Sequence, residues 1–208
     1  MSEETPKPDE TQRREQLREV LETQGMSAIV SALEQRGFNP RVVEDYILFG
    51  RQELYTPSET NVDGYLTSEI GRSQEDVAFY ELGIMREKAK MGKDKQEEKL
   101  LRIWSESERT ELQGLESVRT SWRNGDCSSV ADYFKRIQDD KLHDAAYCLG
   151  EVPEKPYDLQ TEGLDIESYD EDSLMAKSIV RNCHRYMLMK HLLREVESRA
   201  GEPVESKD

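Results

Sequence analysis

The sequence predicts an all-α protein, a helical bundle that contains a long helical hairpin and ends in disordered acidic tails. Three observations favour this class. Apolar residues recur at helical spacing through much of the 208-residue chain. Glycine ends several of these periodic runs, as it does at helix C-termini. Several runs also begin at Ser, Asn or Asp, the residues that cap helix N-termini.

The composition limits how a core can form. The chain contains 35% apolar and 35% charged residues, against roughly 45–50% and about 25% in an average globular domain. Such a chain buries a core only if its apolar residues are concentrated on helix faces. Residues 1–10 and 201–208 are polar, contain prolines and lack periodicity, so both are predicted to be disordered tails.

The charge and the cysteine content restrict the function classes. A formal net charge of −15 argues against non-specific binding of nucleic acid by the whole surface, and it disfavours docking to anionic membranes. No stretch approaches the roughly eighteen consecutive apolar residues of a membrane span. The three cysteines are widely separated and suit a reducing compartment. We therefore expect a cytoplasmic protein that does not bind membranes.

The first part of the chain reads as a unit of short helices followed by a loop. Within residues 11–54, periodic runs end at Gly25 and Gly37, and Asn39-Pro40 suits the start of a third helix. Residues 55–72 contain Pro57 and Asp63-Gly64, which break the periodicity and predict a loop.

Residues 73–123 are predicted to form a long helical hairpin whose arms pack on each other. In its second arm, apolar residues recur at steps of three and four residues, with acidic residues in the gap, in the manner of a short coiled coil. We predict that this apolar series mediates self-association, although the same series also suits the core of a monomer. The series comprises Leu101, Trp104, Leu115, Val118 and Trp122.

The last part of the chain contains its sharpest charge boundary. A helical segment is predicted over 124–150, an acidic loop over 151–172 and a basic and apolar helix over 173–200. The stretch from Glu151 to Asp172 holds nine acids and one lysine, whereas Leu174 to Arg194 holds five basic residues and no acid. The final helix therefore faces something acidic, either the 151–172 segment or another molecule.

One face of the final helix is predicted to bind a partner. Lys177, Arg181 and Arg185 are spaced four residues apart, so they share a face, and Leu188 and Leu192 follow where the helix becomes apolar nearly all round. The alternative interpretation is a core helix whose basic side chains pair with the acidic loop.

The sequence favours an interaction protein over an enzyme. It contains no Gly-rich phosphate loop, no HExxH motif and no nucleophile elbow, so we predict no catalytic residues and no cofactor. Cys183, His184 and His191 are too few for a zinc site, and no metal is predicted. The expected function is that of an adaptor, assembly factor or regulatory subunit with a protein partner, and a homo-oligomer is left open.

The alternative function is transcriptional regulation through a helix–turn–helix near residues 27–52. Two short helices joined by a glycine turn have the general layout of such DNA readers. Arg41, Arg51 and Gln52 would then contact DNA, although the acidic residues on the same predicted helix would be repelled by it.

Overall fold

A computed structural model describes residues 9–36, 38, 61–89, 95–151 and 171–201 of the chain. Six α-helices account for 94% of these described residues, and none of the described residues forms a strand. The helices are α1 (Glu10–Thr23), α2 (Met26–Gln35), α3 (Val62–Ala89), α4 (Lys95–Arg123), α5 (Cys127–Glu151) and α6 (Glu171–Gly201). The predicted all-α class is therefore confirmed, and most of both predicted tails lies outside the described residues.

The described helices belong to two compact units. The first unit comprises residues 1–56 and 134–191, and the second comprises residues 57–133 and 192–208. By these bounds α1 and α2 belong to the first unit and the α3–α4 pair to the second, while α5 and α6 contribute residues to each.

The first unit has a core built from four helical segments. Aliphatic side chains supply most of this core, and small or sulfur-containing side chains fill the positions between them. Tyr186 is the largest of the fully buried side chains. The cluster comprises Leu17, Leu21, Ile29, Leu33, Leu142, Ala145, Ala146, Ala176, Ile179, Val180, Cys183 and Tyr186.

Local signals in the sequence define the ends of the first two helices. The Asp9 carboxylate accepts a hydrogen bond from the Gln12 amide at 2.8 Å, so this residue of the predicted tail caps α1 instead. Gly25 separates α1 from α2 with a φ of 68°, as the predicted glycine stop requires. Phe38 donates its amide to Leu33 O at 3.1 Å and packs against the core, the apolar contact that follows such a helix end.

In the second unit, α3 and α4 form the predicted long hairpin. Arg123 and Asp63 form an ion pair at its base, where N and O are 3.7 Å apart, whereas Gly83 approaches Leu101 toward its tip. The two helices are therefore antiparallel. Trp122 is buried near the base, and the Arg199 guanidinium lies over its ring at 4.0 Å from the centroid.

The prediction of a loop over 55–72 is wrong for residues 62–72, which are helical. Asn61 caps this helix, because its side chain accepts a hydrogen bond from the Gly64 amide at 2.8 Å. The Val62 amide donates to the Glu195 carboxylate at 3.0 Å, a contact between residues far apart in sequence. Asp63-Gly64 therefore lies in the first helical turn, where an acidic residue complements the helix dipole.

The break at Asn124-Gly125 is confirmed. Gly125 adopts a φ of 79° between α4 and α5, a conformation that favours glycine. Asp126 caps α5 by accepting a hydrogen bond from the Ser129 amide at 3.1 Å, and hydrogen bonding from Ser129 holds the pKa of the carboxyl below its usual range. The helix then continues to Glu151, close to the predicted end at residue 150.

Candidate functional site

The packing of α4 against α3 follows a regular series of positions. A series of side chains in α4 that are at least partly buried recurs at steps of three and four residues, which is the spacing of two helices packed at a shallow angle. This series comprises Glu98, Leu101, Ser105, Glu108, Leu112, Leu115, Arg119 and Trp122. Several of its members are polar, so the two arms are joined by more than apolar contacts.

A hydrogen bond between the arms accounts for one of these polar positions. Ser73 is buried in the middle of α3, and its hydroxyl donates to Glu108 Oε1 at 2.7 Å. Because the bond joins a buried hydroxyl to a carboxylate, it satisfies both groups away from water. Ser105, one turn before Glu108, is also buried.

The five residues of the predicted self-association series have different positions in the structure. Leu115 and Trp122 are buried, so they belong to the hairpin's own core. Leu101 contacts α3 at Gly83, and Val118 is half-buried. Trp104 is half-exposed. The role of this series in self-association stays a prediction.

The distal half of the hairpin exposes large apolar side chains. Six such residues of α3 and α4 are between 45% and 67% exposed: Phe79, Leu82, Met85, Leu100, Ile103 and Trp104. At about 100° per residue, Phe79 and Leu82 lie about 60° apart on α3, and the three residues of α4 fall within an arc of about 100°. We call the five residues other than Met85 the hairpin apolar surface.

A row of aromatic rings joins the two arms at this surface. The rings of Phe79 and Tyr80 meet edge to face with centroids 5.8 Å apart, and the centroids of Tyr80 and Trp104 are 5.9 Å apart. A Cβ atom on Gly83 would lie 3.2 Å from Leu101 Cδ1, so the two arms also approach closely beside this row. The rings form one surface that spans both helices.

The other side of the hairpin is a charged groove of about 310 Å³. Glu81 of α3 and Arg102 of α4 both line this groove. Each lies about 200° around its helix from the apolar residue two positions earlier, Phe79 or Leu100, so the groove and those apolar residues lie on different sides of the hairpin. Its arginines are already paired with carboxylates, since Arg109 contacts Glu81 and Arg102 Nη2 lies 2.7 Å from Glu98. Met85 lines this groove, which is why it is not part of the hairpin apolar surface.

Sequence reasoning missed Phe79, Leu82, Leu100 and Ile103 as surface residues. The sequence of α4 does indicate that some of its apolar residues are exposed. Four apolar residues occur within positions 100–104, which is more than one buried face of a helix can hold: Leu100, Leu101, Ile103 and Trp104. The polar Ser105 is buried, whereas its neighbour Trp104 is half-exposed.

Comparison with protein-family models, with curated proteins and with solved structures finds no match for this chain. Within the described residues, no helix is both long and apolar enough to span a membrane. The same part of the chain contains no group of three or more His, Cys, Asp or Glu side chains arranged to hold a metal ion.

The predicted partner-binding face of the final helix lies in α6. In the first unit, Lys177 and Arg181 are exposed and Arg185 is half-buried. Leu188 is buried in that unit, and Leu192 is buried in the second unit. The exposed part of the predicted face is therefore basic rather than apolar, and its role in partner binding stays a prediction.

Two other predictions fall outside the described residues. Residues 152–170, most of the predicted acidic loop, are not among them, so its pairing with the basic face stays a prediction. Arg41, Arg51 and Gln52 of the predicted DNA reader also lie outside, together with its second helix.

A polar network joins α1 and α6 in the first unit. The buried Tyr186 hydroxyl donates to Glu22 Oε1 at 3.0 Å, and Lys190 Nζ lies 3.0 Å from the same oxygen. The hydrogen bond from Lys190 holds the pKa of the Glu22 carboxyl below its usual range, and burial raises the pKa of Tyr186 to about 12. The network stabilises the packing of these two helices.

Proposed function

We propose that this protein is a non-enzymatic interaction protein, an adaptor, assembly factor or regulatory subunit, that binds a protein partner through the hairpin apolar surface. One observation carries the proposal: five large apolar side chains on two adjacent helices are each about half-exposed. Groups of exposed large apolar side chains are characteristic of protein-binding sites, because leaving them in water is unfavourable.

A helical partner suits the shape of this surface. An exposed apolar face of a helix accepts the apolar stripe of another helix, because the ridges of side chains on one helix pack into the grooves of the other. Full burial of a Leu, Ile or Phe side chain contributes about 1.5–3 kcal/mol, and about half of that remains to be gained here. The burial free energy summed over the five side chains is of the same order as the free-energy cost of association. Polar contacts must therefore contribute to any stable complex.

Photocrosslinking from the surface tests the proposal. A photoreactive phenylalanine derivative replaces Trp104 in the full-length protein, which is irradiated in cells of the native host. We expect a covalent protein adduct that is lost when Phe79→Ser and Leu82→Ser are added. The matched control carries the same group in place of Tyr147, an exposed aromatic residue of α5 in the first unit, and we expect no adduct there.

Two results would overturn this proposal. One is an equal yield of adducts from positions 104 and 147, which would indicate random collision. The other is an adduct from position 104 that persists after both serine substitutions, which would show that the apolar surface does not hold the partner.

A further inference from the structure

The outer face of α3 carries a short stripe of four exposed residues with a symmetric order. Glu75, Phe79, Leu82 and Arg86 follow one another at steps of four, three and four residues, and all four side chains are exposed. At about 100° per residue they fall within an arc of about 60°, so they form one line along the helix. From either end the order is charged, apolar, apolar, charged, with opposite charges at the two ends.

We propose that this stripe binds the same stripe of a second copy of the chain, with the two α3 helices antiparallel about a twofold axis. Glu75 of each copy then faces Arg86 of the other, and Phe79 faces Leu82. The inference rests on the proposed function and names its partner. It places self-association on the outer face of α3, rather than on the α4 series that the sequence predicts.

The charges of the stripe set the orientation of this pairing. A parallel arrangement would place Glu75 against Glu75 and Arg86 against Arg86, and both contacts would be repulsive. The antiparallel arrangement turns both into attractive pairs. Neither residue forms an ion pair with another described residue of its own chain, so both are available for these contacts.

The net charge of −15 does not prevent this contact. Its repulsion is screened over about 8 Å at physiological ionic strength, whereas the stripe itself carries one acid and one base. A strongly basic partner would be attracted by the whole chain, but it would leave Arg86 facing a like charge. A second copy satisfies both ends of the stripe, and this favours it over a basic partner.

The association of the purified full-length protein tests the pairing by charge reversal. The dimer fraction is measured by sedimentation velocity over a wide range of concentration. We expect Glu75→Arg and Arg86→Glu each to weaken the dimer roughly tenfold, because each turns both ion pairs into repulsive contacts. The double variant Glu75→Arg with Arg86→Glu restores both pairs and the net charge, so we expect it to associate like the wild type.

Mixing the two single variants gives a sharper test. In the mixed dimer, the arginine introduced at position 75 of one copy faces the glutamate introduced at position 86 of the other. The remaining pair is the native one, Arg86 of the first copy with Glu75 of the second. We therefore expect this dimer to form at a concentration at which each variant alone is largely monomeric.

Removal of the apolar centre provides an independent check. We expect Phe79→Ser with Leu82→Ser to abolish the dimer, because the two apolar contacts between the copies are lost. Thermal unfolding followed by circular dichroism confirms that each variant folds, as exposed positions lead us to expect.

Three outcomes would overturn the second copy as the partner. The first is a wild type that is monomeric at every concentration. The second is a double charge reversal that fails to restore association, and the third is a serine variant that dimerises like the wild type. A monomeric protein whose Trp104 position still crosslinks to a different protein would leave the proposed function intact. The absence of both association and crosslinking would overturn the two proposals together.

Discussion

Leu101 Cδ1 lies 3.2 Å from the position that a Cβ atom on Gly83 would occupy. The absence of a side chain at residue 83 lets α4 approach the backbone of α3 in the distal half of the hairpin. Gly114 on α4 differs, since a Cβ atom there would meet nothing within 4 Å. Gly83 and Gly114 therefore separate the effect of close packing from the effect of backbone freedom.

We expect Gly114→Ala to stabilise the protein by about 0.5–1 kcal/mol, because alanine restricts the unfolded chain and suits a helix interior. Gly83→Ala brings the same gain, but Leu101 must shift by a few tenths of an ångström, so its net stabilisation is smaller. Urea unfolding of the two variants measures the difference. An equal gain at both positions would show that Leu101 relaxes without cost.

The two tryptophans are expected to differ strongly in their effect on stability. Trp122 is buried and contacts the Arg199 guanidinium, so Trp122→Ala should cost about 3–5 kcal/mol in the free energy of unfolding. Trp104 is half-exposed, so Trp104→Ala should cost less than half as much. Chemical unfolding of both variants tests this, and similar losses of stability would contradict it.

The hydrogen bond from Ser73 to Glu108 is expected to stabilise the hairpin. Ser73→Ala removes the donor and leaves the Glu108 carboxylate half-buried, so we expect a loss of about 1.5–3 kcal/mol. Ser107→Ala is the control, because Ser107 is exposed on the neighbouring position of α4. Urea unfolding compares them, and a Ser73 variant as stable as the control would show that water replaces the bond.

How far the sequence predicted the structure depends on whether a feature is local. The turns at Gly25 and Gly125 were predicted because a positive φ favours glycine whatever the rest of the fold. The start of α3 was missed because the Val62 amide bonds to Glu195, which is distant in sequence. The burial of Ser105 beside the half-exposed Trp104 was not foreseen, because no periodicity of apolar residues reveals a buried serine.

Stability is expected to fall in alkaline solution because of two buried groups in the first unit. Burial raises the pKa of Cys183 from 9.0 to about 12 and is the main cause that raises the pKa of Tyr186 from 10.0 to about 12. In the unfolded chain both groups ionise near their ordinary values. The stability they contribute is therefore complete below pH 9 and is lost as the pH rises toward 12.

Tyr186→Phe isolates one of these contributions. We expect its stability to fall less steeply than that of the wild type between the ordinary and the raised pKa of Tyr186, by up to about 1.4 kcal/mol per pH unit. Tyr147→Phe, at an exposed tyrosine, is the control. Urea unfolding across this pH range tests the prediction, and equal slopes for Tyr186→Phe and the wild type would contradict it.

The bond between Ser73 and Glu108 also determines the register of the hairpin. Apolar seams between two helices tolerate sliding by one heptad, because one aliphatic side chain replaces another. Here a slide of seven residues would move the Glu108 carboxylate to the level of Leu66 or of Tyr80, away from its donor. Loss of the donor to the half-buried carboxylate costs free energy, so the observed alignment of the arms is favoured over the shifted ones. The rings of Tyr80 and Trp104 are thereby kept at the same height.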